Sequence, residues 1–249
     1  MKAFVRSIFC GFVLGTFGVC AMFLDFFVIP NAKLSMGKTD YMYFVSDLIH
    51  FTWRNLLLNL MLVLRLIKLD IKNLSELENI QNKVIVATHP SFIDVVILIA
   101  LIPRTTCLVK QELAKNPIIS NLVKSIFIIN DIEIEEFKKE TKNMLDLGFN
   151  VIVFPTGTRH KRTEIPKIKK GASLIAINAD KDIAPVQIFS DGEFMFINRP
   201  FYYVDKRIVV FEVKKLDDIS VKPYENMDEI KAKRELTQKI ANVLYNENF

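Results

Sequence analysis

The sequence predicts an α/β domain, a mixed sheet flanked by helices, carried behind apolar N-terminal membrane helices. Three observations lead there. Short β-branched runs alternate with helical periodicity through the C-terminal two thirds of the chain. Two long apolar stretches occupy the first seventy or so residues. The 249 residues are 51% apolar with a mean hydropathy of +0.25, enough to bury a substantial core and high for a protein with no membrane contact.

From Ile8 to Leu24 the chain carries no charge, with Lys2 and Arg6 before it and Asp25 after, and Phe26 to Ile29 resume the apolar run. At about 1.5 Å per residue the uncharged part is roughly 25 Å long, so it spans a ~30 Å hydrocarbon core only if the helix continues past Asp25; otherwise it dips. A cleaved signal peptide is the alternative, but "FGVC" is a poor cleavage site because Val19 is not small. In the second stretch, Phe44 to Leu69, Asp47, His50 and Arg54 form a polar stripe with Trp53 beside it. That pattern reads as an interfacial helix with His50 as a surface anchor, after which "NLLLNLMLVL" (55 to 64) dips deeper. Lys33 and Lys38 balance Lys2 and Arg6, so charge counting sets no topology. Residues 1–70 thus read as the anchor and 71–249 as the globular domain.

After a polar connector, "LDIKNLSELENIQN", strands are expected at Val84 to Thr88, Thr106 to Lys110, Ile126 to Asn130, Val151 to Phe154, Ile183 to Phe189 and Ile208 to Val213. Helices fit 92 to 101, 113 to 124, 132 to 147, 171 to 179 and 228 to 245, with Pro103 ending the first and Gly148 the third. Cys10, Cys20 and Cys107 form neither a disulfide framework nor a metal-ligand spacing, and no structural metal is expected. There is no P-loop and no GxGxxG.

Chemistry enters at "HPSFID". The chain has three histidines, and His89 has a carboxylate, Asp94, at a fixed local offset. One reading is a helix start, with Ser91 as N-cap and Asp94 reaching back in a capping box. Helical side chains lean toward the N-terminus, so the same Asp94 would point at His89, and the positive helix end would keep it ionised. A carboxylate beside an imidazole fixes its tautomer and leaves the other nitrogen free to take a proton from a hydroxyl. G-x-S-x-G is absent, so the hydroxyl belongs to a substrate. In "VIVFPTGTRH" a buried strand breaks at Pro155 into a turn with Gly157 and then Arg159, which suits capture of a phosphate. Beyond it, Arg159, Lys161, Arg162, Lys167, Lys169 and Lys170 make either a solvated loop or a contact for anionic head groups. His160 reads as a loop histidine, and Phe201, Tyr202 and Tyr203 as core, edge-strand or interfacial aromatics.

These motifs, in this order, resemble those of the lysophospholipid (1-acylglycerol-3-phosphate) acyltransferase superfamily. "HPSFID" matches the family's H-x4-D, which implies His89 as catalytic base and Asp94 as its partner. "VKQEL" resembles the second block and implies Lys110 at the substrate cleft. "FPTGTR" resembles F-P-E-G-T-R, which implies Gly157, Thr158 and Arg159 on the acceptor's phosphate, with Thr156 where the family has glutamate. "KKGASLIA" and "IAPVQI" resemble the last block, implying Lys170 and Gly171 near the acceptor and Pro185 bordering the acyl site. Parts of the stretch also look like a bacterial subgroup linked to aryl-polyene lipid synthesis.

The resemblance implies transfer of an acyl group from acyl-CoA or acyl carrier protein to a hydroxyl of a lysophospholipid-like acceptor, without metal or dissociable cofactor. It implies a membrane lipid partner and a catalytic domain facing the cytoplasm. Thr156 keeps two alternatives open: a non-glycerophosphate lipid acceptor, or a decayed, lipid-binding site. A net charge of +5 and a pI near 9.0 would also suit nucleic acid, but the basic residues are interleaved with acids and no recognition motif is present. Oligomeric state is not legible.

Overall fold

A computed structural model describes residues 3–159, 166–195 and 204–245. Helix α1 (Ala3–Phe23) passes through a π-helical turn, Leu24–Val28, into α2 (Ile29–Ser35). Helix α3 (Lys38–Thr52) passes through a second π turn, Trp53–Leu58, into α4 (Asn59–Val63). Strand β1 (Ile67–Lys72) and the short α5 (Leu74–Glu78) follow, then β2 (Val84–Ala87), α6 (Asp94–Leu101), β3 (Thr105–Val109), α7 (Gln111–Lys115), α8 (Ser120–Ile126) and β4 (Ile128–Ile129). The chain continues with α9 (Ile134–Asp146), β5 (Asn150–Val153), α10 (Gly171–Ala179), β6 (Ile183–Ser190), β7 (Val209–Lys215) and α11 (Glu229–Tyr245).

The strands make one seven-stranded sheet in the order β1-β7-β6-β2-β5-β3-β4. It is mixed: β6 and β7 run antiparallel and every other pair is parallel. Strands β2 and β5 are buried at every position, as parallel strands covered on both faces must be. They are neighbours, so the loops leaving their C-terminal ends emerge side by side, which is where ligands meet open α/β sheets. Those two loops carry His89 and Arg159.

Several sequence expectations change. The polar connector holds β1 and α5: the alternation Ile67, Leu69, Ile71 is a strand that pairs with β7, and it straddles the boundary expected at residue 70. The helix expected over 113 to 124 is two helices, because Pro117 disfavours helical backbone at Asn116. Helix α8 then runs through Ile126, which leaves β4 only two residues. Gly148, at φ +81°, closes α9 as expected. The polar stripe of the second apolar stretch faces partly inward. His50, expected at the surface, is half-buried and donates Nδ1–H to the Ile99 carbonyl at 2.7 Å, while Arg54 pairs with Glu78 at 3.0 Å. His160, Lys161, Arg162 and the aromatic run 201–203 lie outside the described residues.

Among the described residues one helical rod, Phe4–Ser35, is long and apolar enough to cross a membrane. Buried polar side chains fix it to the domain at two points. The Arg6 guanidinium, 2% exposed, donates to the carbonyls of Arg65 (2.7 Å), Arg207 (2.9 Å), Leu66 (3.0 Å) and Asp205 (3.1 Å), just before β1 and β7. Buried Asp25 accepts from the Leu122 N–H at 2.7 Å and from Asn121 Nδ2 at 3.2 Å, in the helix that leads into β4. Strands β1 and β4 are the two edges of the sheet. At about 1.5 Å per residue the two anchors are ~28 Å apart, close to the ~29 Å that seven strands span. The rod therefore lies along the domain, with Phe4, Phe12, Val19 and Phe27 each at least 60% exposed on its outer side.

Substituting Arg6 with methionine removes the donor shared by four carbonyls. Thermal unfolding in detergent micelles is expected to lose about 2 kcal/mol or more, and limited proteolysis to release the N-terminal helix; an unchanged melting temperature with full protection would contradict this.

Candidate active site

The loop after β2 is tied down before it reaches the histidine. Thr88 Oγ1 donates to the Ile188 carbonyl at 2.8 Å and accepts from the Ile188 N–H at 2.7 Å, so β6 holds the base of the loop. His89 follows, and its Nδ1 lies 3.0 Å from Asp94 Oδ2. The same Oδ2 accepts the Ser91 N–H at 2.7 Å. The capping reading and the dyad reading are thus both present, served by one oxygen. The capping box is only half formed, since the Ser91 hydroxyl donates to the Phe194 carbonyl at 2.5 Å and accepts only a long bond, 3.4 Å, from the Ile93 N–H, and regular helix begins at Asp94.

An acceptor at Nδ1 places the ring proton there and leaves Nε2 with its lone pair. The imidazole is 17% exposed while Asp94 is fully buried. Burial pushes the Asp94 carboxyl above the usual carboxylate range, against the opposing pull of His89, the Ser91 N–H and Arg159. Oδ1 of Asp94 has no hydrogen-bond partner among the described residues, which adds to the desolvation cost of the carboxyl. The helix N-terminus, expected to favour the ionised carboxyl, acts against this shift together with those partners.

The imidazole stacks on Phe154, ring centroids 4.0 Å apart and planes 18° from parallel. Phe154 opens the Phe-Pro-Thr-Gly-Thr-Arg turn, so the two motif loops are in direct contact. Gly157 adopts φ +71°, and that backbone conformation calls for glycine; a Cβ there would meet only the flexible end of Lys169, which can move aside. Its N–H closes the turn on the Phe154 carbonyl at 2.9 Å, and the Lys169 N–H reaches the Pro155 carbonyl at 2.7 Å. Thr156 is 7% exposed and donates its hydroxyl to the Thr158 carbonyl at 2.7 Å, so it braces the turn. Thr158 is exposed. Arg159 is half-buried and donates Nη1 to the Met195 carbonyl at 3.0 Å.

That last bond brings in a segment the sequence did not flag. The Met195 carbonyl also accepts the Phe92 N–H at 3.2 Å, and its neighbour Phe194 holds Ser91. Phe194 and Met195, both buried and the latter at φ +52°, therefore clamp the His89 loop and the Arg159 loop to one support. A backbone carbonyl has no signature in sequence; only the turn signal Asp191-Gly192 hinted that the chain leaves the strand here.

The remaining expected residues are placed less centrally. Lys110 and Lys170 are exposed at the starts of α7 and α10, and neither hydrogen-bonds the dyad or Arg159 among the described residues. Pro185 is buried within β6 in register with Val86, inside the sheet.

Comparison with known proteins bears on the family and the fold. Residues 68–189 match the family model described as Acyltransferase. A 1-acyl-sn-glycerol-3-phosphate acyltransferase of Helicobacter pylori is 31% identical over 157 residues, 59% of this chain and 65% of that protein. The human 1-acyl-sn-glycerol-3-phosphate acyltransferase beta is 25% identical over 146 residues, 55% of this chain and 51% of that protein. The match thus spans half to just under two thirds of these two relatives. The crystal structure of the 1-acyl-sn-glycerophosphate (LPA) acyltransferase PlsC of Thermotoga maritima shares the fold at a TM-score of 0.68 and 17% identity, over 95% of this chain and 94% of that one.

The raised Asp94 carboxyl sets the sign of a pH effect. A group whose pKa is higher in the folded state favours the fold when protonated; that contribution is complete below its unfolded value of about 3.9 and is lost as pH rises through the folded value. Asp94→Asn, neutral throughout, is expected to melt at or above the parent temperature at pH 7, with the gap closing toward acid pH. A drop of several degrees at pH 7, read by calorimetry, would contradict the assignment.

Proposed function

This chain belongs to the lysophospholipid (1-acylglycerol-3-phosphate) acyltransferase superfamily, and we propose that it is a membrane-associated O-acyltransferase moving a fatty acyl group from a thioester to a hydroxyl of a lysophospholipid-like acceptor. The observation that carries the reading is the His89–Asp94 pair stacked on the turn that delivers Arg159.

In this reading the acceptor hydroxyl lies against Nε2 of His89. The imidazole takes its proton as the oxygen attacks the thioester carbonyl, and Asp94 holds Nδ1–H and steadies the imidazolium. The tetrahedral intermediate collapses with cleavage of the C–S bond. The imidazolium returns the proton to the departing sulfur, leaving an ester and a thiol. Arg159 spends one N–H on the Met195 carbonyl, which aims the guanidinium and leaves its other donors for a phosphate. The thioester is that of acyl-CoA or acyl carrier protein, and no metal or dissociable cofactor takes part. Gly157 and Thr158 border the phosphate, Lys110 and Lys170 add charge at the rim of the cleft, and Pro185 supports the acyl site from within the sheet.

Thr156 favours a second reading of the acceptor. Its hydroxyl is consumed inside the turn, so it offers the acceptor neither the charge nor the reach of a glutamate. A hydroxylated lipid other than a glycerophosphate fits that change. The formed dyad speaks for catalysis over a decayed, lipid-binding role.

Membrane association follows from the rod Phe4–Ser35. Pinned along the domain by Arg6 and Asp25, it is proposed to lie in the plane of the cytoplasmic leaflet with its exposed phenylalanines in the acyl region, the domain from β1 onward beneath it.

His89→Ala is expected to lower thioester-dependent transfer at least about 10²-fold while secondary structure and vesicle binding are kept; retained turnover would refute the mechanism. Arg159→Gln is expected to raise the KM for a phosphate-bearing acceptor more than it lowers kcat. With a lysolipid lacking phosphate as acceptor the same variant should change little, and equal losses on both would remove Arg159 from phosphate binding.

A further inference from the structure

A second lipid-shaped feature lies away from the dyad. A cavity of about 900 Å³ opens between α2, the start of α3, α8 and the C-terminal half of α9. That size is within the ~300–1,000 Å³ typical of small-molecule sites. Its wall includes Ile128 of β4, which is three strands from β2 in the sheet, roughly 14 Å at the usual strand spacing. No residue assigned above to the dyad, the phosphate turn or their support lines it.

The lining is divided by chemistry. Ile29, Met42, Phe127, Met144 and Leu147 make the interior apolar, while Lys33, Lys38 and Lys124 stand around it from three different helices. All three lysines are exposed and none forms an ion pair among the described residues. Glu140 is the one acid in the lining, and burial together with Glu136 pushes its carboxyl up, which weakens it as a counter-charge. At the cavity's edge Leu34 is 87% exposed, and Phe26 and Phe27 on the same rod are 54% and 61% exposed. In the membrane-associated reading the lysines sit where an apolar helix face meets the head-group layer, the depth at which basic side chains engage anionic lipid.

We propose that this cavity binds one anionic phospholipid of the supporting leaflet, its phosphate among Lys33, Lys38 and Lys124 and part of an acyl chain in the apolar interior. The site is separate from the acceptor site at Arg159. It rests on the membrane-associated reading of the chain and not on the acyl-transfer chemistry. Apolar walls alone would take any hydrocarbon, and the lysines alone would take any anion; their combination selects a molecule that carries both.

The test uses the full chain in dodecyl maltoside micelles, titrated with phosphatidylglycerol or phosphatidylcholine and read by native mass spectrometry. One phosphatidylglycerol is expected to be retained with at least about tenfold preference over phosphatidylcholine, a difference of about 1.4 kcal/mol. The Lys33→Gln/Lys124→Gln protein should fall to the phosphatidylcholine level, and Met42→Trp, which fills the interior and leaves the lysines, should lose the bound lipid. Arg159→Gln and His89→Ala should retain it. Equal retention of the two lipids, indifference to the lysine substitutions, or displacement by inorganic phosphate alone would overturn the proposal. Loss of the lipid in Arg159→Gln would place it in the acceptor site and overturn it too, without touching the proposed reaction. Turnover by His89→Ala would defeat the reaction and leave this site standing.

Discussion

One carboxylate oxygen organises the candidate site. Oδ2 of Asp94 receives the Ser91 N–H and the His89 Nδ1–H together, so the backbone turn that starts α6 and the orientation of the imidazole are fixed by one group. The arrangement is local, spanning six residues, yet it needs the whole sheet to bury it. Asp94 is removed from solvent because α6 packs on a sheet whose central strands are covered on both faces. That burial costs the carboxyl solvation and raises its pKa.

The dyad is supported from outside its own motif. Phe194 and Met195 offer their carbonyls to Ser91, Phe92 and Arg159, and this short segment is itself anchored. Asp191 pairs with Arg207 at 2.8 Å and accepts the Val210 N–H at 2.8 Å, and the carbonyls of Asp205 and Arg207 receive the Arg6 guanidinium. A chain of hydrogen bonds thus leads from the apolar N-terminal helix, through the start of β7, to the loops of His89 and Arg159. The helix proposed to face lipid and the elements proposed to act on lipid share one support.

What could be read in the sequence follows the range of the interactions involved. The pattern H-x4-D was legible because its geometry is set within six consecutive residues, the loop that leads into α6, and the capping and dyad readings coexist because one oxygen does both. The glycine at 157 was legible because the turn demands φ above zero. The buried strands β2 and β5 announced themselves as short apolar runs. Strand β1 did not: with lysines and aspartate between its apolar residues it resembled a connector, and only its distant partner β7 makes it a strand. The order of the sheet, the partners of Arg6 and Asp25, and the role of the Met195 carbonyl are all long-range, and no local pattern encodes them. Arg6 and Asp25 were visible as charges flanking an apolar run, but flanking charges ordinarily face water, and here both are buried.

With three histidines in the chain, the state of each imidazole can be read by 15N NMR on histidine-labelled protein, the His89 resonances being assigned by their loss in His89→Gln. At a pH where the ring is neutral, His89 is expected to carry its proton on Nδ1, with Nε2 unprotonated, and to lose that preference in Asp94→Asn. A proton on Nε2, or resonances indifferent to the substitution at 94, would show that the carboxylate does not govern the imidazole.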